Sequence, residues 1–301
     1  MSVSNRHILA QGAAFSALGR VAWATLEQQL RGKSKEAPTL PGPTLEVSLP
    51  PRAPALVRDY IVHVGGDPAA YRGSVPAHLF PQWTFGLASQ ALEGVPYPLT
   101  RVLNVGCELE QRAQLPADEA LLVRAHLASI DDDGRRAVLR TRVVTSTNSV
   151  KDALIADIIA MVPLKGGRTK RTGGSRDKDK DCARVPEDAH ELARFKLGAN
   201  AGLDFAKLTG DFNPIHWVRP AARAAGFPSV ILHGFATMAR TLEALNHGVF
   251  GGDVMRLKKW QCRFTKPLVL PAQAAVYTQG QQVFVGGALG APAYLVGSYE
   301  I

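Results

Sequence analysis

Apolar and polar positions alternate along residues 121–130 and 137–145, and again along 274–279 and 293–301. A two-residue period of this kind marks half-buried strands. Residues 84–92 and 235–245, each ahead of a strand group, read as helices. The second carries an apolar stripe of Met238, Leu242 and Leu245, closed by Asn246, His247 and Gly248. The two sets are in register. The run from Cys107 to Pro116 aligns with the run from Cys262 to Pro271 at a constant offset of 155, and a Gly-Asp pair precedes each helix, Gly66-Asp67 and Gly210-Asp211. A repeat this long predicts a duplicated domain and not a solenoid. Each copy reads as an α+β unit with its helix wrapped by a curved sheet.

What separates the copies has no apolar residue at all. Residues 165–181 carry seven Lys or Arg and three Asp, with glycines between them, so this tract cannot bury a core. It predicts a basic linker over 165–189, dividing a first domain over 37–164 from a second over 190–301. Ahead of both, residues 1–36 read as a helical leader, with Phe15, Leu18, Ala22 and Leu26 at helical spacing, docked on the protein body. The tract also accounts for +4 of the chain's net charge of +9. Without interleaved aromatics it does not form a nucleic-acid footprint. No apolar run approaches the ~18–20 residues of a membrane span. Cys107, Cys182 and Cys262 are widely spaced and form no CxxC, which fits a reducing, cytoplasmic setting and neither a disulfide framework nor a zinc site. Gly286-Gly287-Ala288-Leu289-Gly290 is not a dinucleotide fingerprint and reads as a turn between strands. His63, His78, His126, His190 and His247 read as surface or cap residues, since no metal-ligand spacing accompanies them.

Chemistry concentrates in the segment from Phe205 to His216, followed by His233-Gly234. Gly210-Asp211 and Asn213-Pro214 are turn dipeptides, so the chain bends here. On such a bend Asp211 and His216 can converge, giving a carboxylate and an imidazole able to share one water for acid–base work. The Asn213 amide can hold the loop or orient a ligand. Gly234 stands at a predicted helix N-terminus, where an unpaired N–H could receive an oxygen gaining charge, and a glycine there admits a ligand close to the backbone.

The pattern Phe205, Leu208, Thr209-Gly210-Asp211, Asn213-Pro214-Ile215-His216 and Ala222 resembles the signature of the MaoC-like (R)-specific enoyl-CoA hydratases, or hydratase 2, over about residues 190–301. The resemblance implies two tandem hot-dog domains and reversible syn hydration of trans-2-enoyl thioesters, carried on CoA or acyl carrier protein, to (R)-3-hydroxyacyl thioesters. It implies that Asp211 and His216 activate water and move the α-carbon proton, that Gly234 polarises the thioester carbonyl, and that Asn213, His233 and Phe235 border the substrate. No metal or redox cofactor is implied, and a homodimer is compatible with it. Arg223, Lys259 and Arg263 are candidates to grip CoA phosphates, or else belong to a solvated basic face. In the first half Gly66-Asp67 leads into Pro-Ala-Ala-Tyr-Arg, and Phe80-Pro81 stands near the place of His233-Gly234, so one active site is expected, with Phe85, Gly86, Leu87 and Ala88 beside the acyl chain. A non-catalytic acyl-thioester binding protein and a hot-dog thioesterase are the alternatives.

Overall fold

The computed structural model describes residues 3–11, 38–164 and 182–301. The leader stripe and the basic tract over 165–181 lie outside the described residues. The chain runs β1 (Leu45–Leu49), α1 (Pro54–Val64), β2 (Ser74–Val75), α2 (Pro81–Gln90), β3 (Leu103–Gln111), β4 (Leu115–Pro116), β5 (Leu121–Asp132), β6 (Arg136–Ser146) and β7 (Leu154–Pro163). It continues with β8 (His190–Leu197), α3 (Ala201–Thr209), α4 (Arg219–Ala224), α5 (Gly234–Gly248), β9 (Lys259–Phe264), β10 (Ala272–Gln279), β11 (Gln282–Gly286) and β12 (Ala293–Glu300). No helix among the described residues is long and apolar enough to cross a membrane.

Ten strands form one sheet in the order β1-β5-β6-β7-β3-β9-β12-β11-β10-β8. Its halves carry the same internal order, so β3 and β9 are counterparts that meet at the centre. There Cys107 pairs with Cys262, and the residues on either side pair Glu108 with Gln261 and Gly106 with Arg263. An offset of 155 combined with antiparallel pairing places each cysteine opposite its own repeat equivalent. A pseudo-twofold axis therefore passes between them, their sulfurs 3.9 Å apart and both side chains buried.

The alternation expected for β5 is present: Leu121, Val123, Ala125 and Leu127 are buried and the residues between them are not. The helices lie against the sheet's inner face. α5 buries residues around most of its circumference, from Phe235 and Met238 to Leu242 and Leu245, so it is a central helix and not a surface one. On the other face of the sheet, Asp157 is buried between Arg142, at 2.7 Å, and Arg140, at 3.2 Å. Burial alone would raise its carboxyl, but the two guanidiniums outweigh this and hold it below the usual range.

The repeat also corrects the alignment read from the sequence. Val75 pairs with Leu115, and the Val230 carbonyl accepts from the Leu270 N–H, so the same offset of 155 holds through β2 and β4. It places His78, and not Phe80-Pro81, opposite His233. Further upstream, Gly65 caps α1 in the left-handed region (φ 91°) as Gly210 caps α3 (φ 81°). Asp67 then caps a short 3-10 turn beginning at Pro68, as Asn213 caps the one beginning at Pro214. Asp67 is thus the counterpart of Asn213. A single residue, Gly66, stands where the second half has Asp211 and Phe212.

Candidate active site

α3 delivers the loop that carries Asp211 and His216. It ends at Gly210, whose positive φ turns the chain sharply and leaves Asp211 partly exposed. The Asn213 side chain accepts from the Ile215 N–H at 3.4 Å and so starts the 3-10 turn that carries His216. The loop rests on α3 at Gly202, where a methyl group would lie 2.0 Å from the His216 carbonyl oxygen. Only a residue without a side chain lets loop and helix approach this closely.

His216 is 8% exposed. Its Nδ1 lies 2.8 Å from the Ile231 carbonyl, which can only accept, so Nδ1 carries the proton and the lone pair of the neutral ring is on Nε2. Burial pushes the imidazole below its ordinary value, against the opposing pull of Asp211. His233 stacks on His216, ring centroids 3.6 Å apart, and the tilted Phe205 ring lies 5.0 Å from His233. Its Nε2 donates to the Asp211 carbonyl at 2.9 Å, and burial together with His216 pushes it down to about 3. It is 2% exposed and holds the loop in place through this hydrogen bond. Ligand atoms of Asp211, His216 and His233 lie within 4.8 Å of one another, the donor set of a divalent-metal site. Two imidazoles in stacked, nearly parallel planes do not aim their lone pairs at one point, so the arrangement suits a shared water better than a chelated ion.

α5 begins at Gly234 directly after His233. The Ala236 and Thr237 N–H groups donate to the His233 carbonyl at 3.1 and 3.2 Å, whereas those of Gly234 and Phe235 precede any intrahelical acceptor and carry the positive end of the helix dipole. The fold itself also requires glycine here. A Cβ at Gly234 would stand 2.5 Å from the Phe264 ring, so the glycine accommodates a protein side chain. Phe235 is also interior: its ring makes edge contacts with Phe80, Phe85 and Phe264, centroids 5.4–5.5 Å away.

The basic candidates are spread out. Arg223 is exposed on α4, which packs against the His216 turn. Lys259 and Arg263 project from β9 opposite the buried Trp260 and Cys262, on the outer face of the sheet. Lys259 pairs with Glu300 at 2.8 Å and lines a groove with Glu108 and Glu110, so it faces acidic groups and is not brought to the Asp211 loop. Three participants escaped sequence reasoning: Gly202, the Ile231 carbonyl and Phe264. Of these only Gly202 left a trace in the sequence, a glycine inside a helix where it weakens the helix without packing reason.

A duplicated hot-dog body with one carboxylate–imidazole loop beneath the start of its second central helix defines a double hot-dog protein. Residues 193–286, within the second half of the chain, match the family model "MaoC like domain". 3-hydroxyacyl-thioester dehydratase X of Mycobacterium tuberculosis is 27% identical over 79% of this chain and 80% of its own length. A probable enoyl-CoA hydratase 2 of Dictyostelium discoideum is 23% identical over 62% of this chain, which spans only 64% of that protein. Among solved structures, HtdX of Mycobacterium tuberculosis superposes over 86% of this chain and 99% of its own with a TM-score of 0.68 at 20% identity, a likeness of fold.

Proposed function

We propose that this chain is an (R)-specific enoyl thioester hydratase, interconverting trans-2-enoyl and (R)-3-hydroxyacyl thioesters of CoA or acyl carrier protein. The observation that carries the reading is the convergence of the Asp211 carboxylate with a buried His216 whose free lone pair is on Nε2. The relatives named as enoyl-CoA hydratase and 3-hydroxyacyl-thioester dehydratase support the same reaction class.

Water held between Asp211 and His216 loses a proton to Nε2 as its oxygen attacks C3. Negative charge then moves onto the thioester carbonyl oxygen, where the Gly234 N–H and the α5 dipole stabilise it. Collapse of this enolate takes the proton back from His216 to C2 on the face from which water came. The product has gained one OH and one H on the same face, and the enzyme is unchanged. No redox or metal chemistry is required. Asn213 acts through the loop it caps, and Arg223 is the basic residue best placed at the rim to meet a carrier phosphate. The free thiols Cys107, Cys182 and Cys262 support a reducing, cytoplasmic location.

The test follows the conjugated enoyl-thioester absorbance with crotonyl-CoA and a longer enoyl-CoA, with chiral analysis of the product. We expect loss of the band, a pure (R)-3-hydroxyacyl product, and rates about 10²–10⁴-fold lower in Asp211→Asn and His216→Ala. Thiol release with conjugation intact would identify a thioesterase instead, and binding without turnover on any carrier a binding protein.

A further inference from the structure

A second buried polar cluster lies in the first half, at the position the repeat makes equivalent to the catalytic loop. At its centre is His78, the counterpart of His233, which is 3% exposed and not the surface residue its sequence setting predicts. Tyr60 donates to the His78 carbonyl at 2.9 Å and lies 3.0 Å from Nδ1. On the other side, Nε2 lies 3.1 Å from Oε1 of Glu243, which also accepts from the Tyr71 hydroxyl at 2.7 Å. Asn246 donates to Oε2 at 3.3 Å.

Glu243 belongs to α5 of the second half, yet its carboxylate occupies a specific place in the first. A Cβ built on Gly66 would fall 2.3–2.6 Å from the Glu243 carboxylate atoms. Gly66 is the residue that stands where the second half has Asp211. The carboxylate missing from this half's own loop is thus replaced, beside the equivalent histidine, by one that reaches across from the opposite helix. Burial by itself would raise the Glu243 carboxyl, but the hydrogen bonds from His78, Tyr71 and Asn246 outweigh it and keep it low. Along one side runs a narrow pocket lined by Tyr71, Ser74, His78, Gln111, Asn246 and Met255.

We propose that the first half retains a carboxylate-binding site, formed by the Tyr71 hydroxyl, His78 Nε2 and Asn246 Nδ2, and that Glu243 fills it in cis as a latch between the halves. The ligand class is a small carboxylate, because the three donors converge on two oxygens of one planar group. This inference is independent of the reaction assigned to the second half.

Chemical rescue tests it. Glu243→Ala removes the internal ligand and leaves the donors, so acetate or formate should bind where the side chain was. We expect Glu243→Ala to melt lower than wild type and to regain about 5 °C or more in acetate over equal chloride. Wild type and Glu243→Gln, whose site is filled, should show no such acetate-specific gain, and Glu243→Ala/Tyr71→Phe should lose most of it. If Glu243→Ala does not fold in chloride, higher recovery of native protein on refolding in acetate is the equivalent result. An alanine variant no more responsive to acetate than wild type, in melting or in refolding, overturns the proposal and leaves Glu243 a packing residue.

Discussion

His216 and His233 share a stacked contact, but burial sets them different tasks. In the proposed reaction His216 acts only with Nε2 unprotonated, and its pKa lies below the ordinary histidine value. kcat/KM should therefore be level at neutral pH and fall only as pH drops below about 6.5. A pH–rate profile with its acid limb centred at or above that value would contradict the geometry. His233 and His63 bear on stability. They stay neutral in the fold down to about 3 and about 4, with burial the leading cause for both, whereas in the unfolded chain they charge near 6.5. The unfolded state thus binds more protons as pH falls from 6.5, and each histidine should cost about 1.4 kcal/mol of stability per pH unit until its folded value is reached. Denaturant melts at stepped pH give this slope, and Glu or Asp titrations enter only lower down. At this scale Asp211 and His216 were legible because turn dipeptides bracket them. Glu243 was not, since nothing local distinguishes an acidic residue within an amphipathic helix from a solvated one.

Between elements, two glycines measure how tightly the site is built. Gly202→Ala on α3 sets a methyl group against the His216 backbone oxygen, an atom that cannot swing aside. We expect a loss of about 2–3 kcal/mol of stability and a fall in kcat at temperatures where the variant is folded, because relief comes only by moving the His216 turn. Gly234→Ala meets a ring instead. Its cost of about 1–3 kcal/mol should be largely removed by Phe264→Leu in the double variant, a coupling that a thermodynamic cycle reads directly. The elements themselves were largely legible from period, but their correspondence between halves was not. The repeat runs at an offset of 155 through His78 and His233 but at 145 through Gly65 and Gly210. The second half accommodates α4 between the two anchors, where the first half has a short turn from Tyr71 to Ser74. A single offset cannot align both, so in sequence Gly66-Asp67 mimics Gly210-Asp211 while the relation of His78 to His233 stays hidden.

For the whole molecule, the governing feature is the junction of β3 with β9. A fragment of residues 182–301 keeps one half of the sheet but leaves β9 without its neighbour, exposing an unpaired edge. Cys262 lies beside the pseudo-axis, so β9 of a second fragment can take the place of β3 by the same antiparallel register. Sedimentation of that fragment should give a dimer, and a stable monomer would show that the first half is not needed to cover this edge. The duplicated α+β plan was readable in the sequence, whereas the central pairing was not, because offset alone does not say which counterpart strands meet.

That same ladder carries a mechanical consequence. The two halves are not shells joined by a hinge, since their backbones are hydrogen-bonded through one unbroken sheet. A rocking motion that parted them would have to unzip the pairing from Gly106 to Glu110 against Lys259 to Arg263. Access to the Asp211 loop therefore does not come from parting the halves, and Asp211 is already partly exposed. Turnover should then be indifferent to cross-links that tie the halves together on the sheet's outer face.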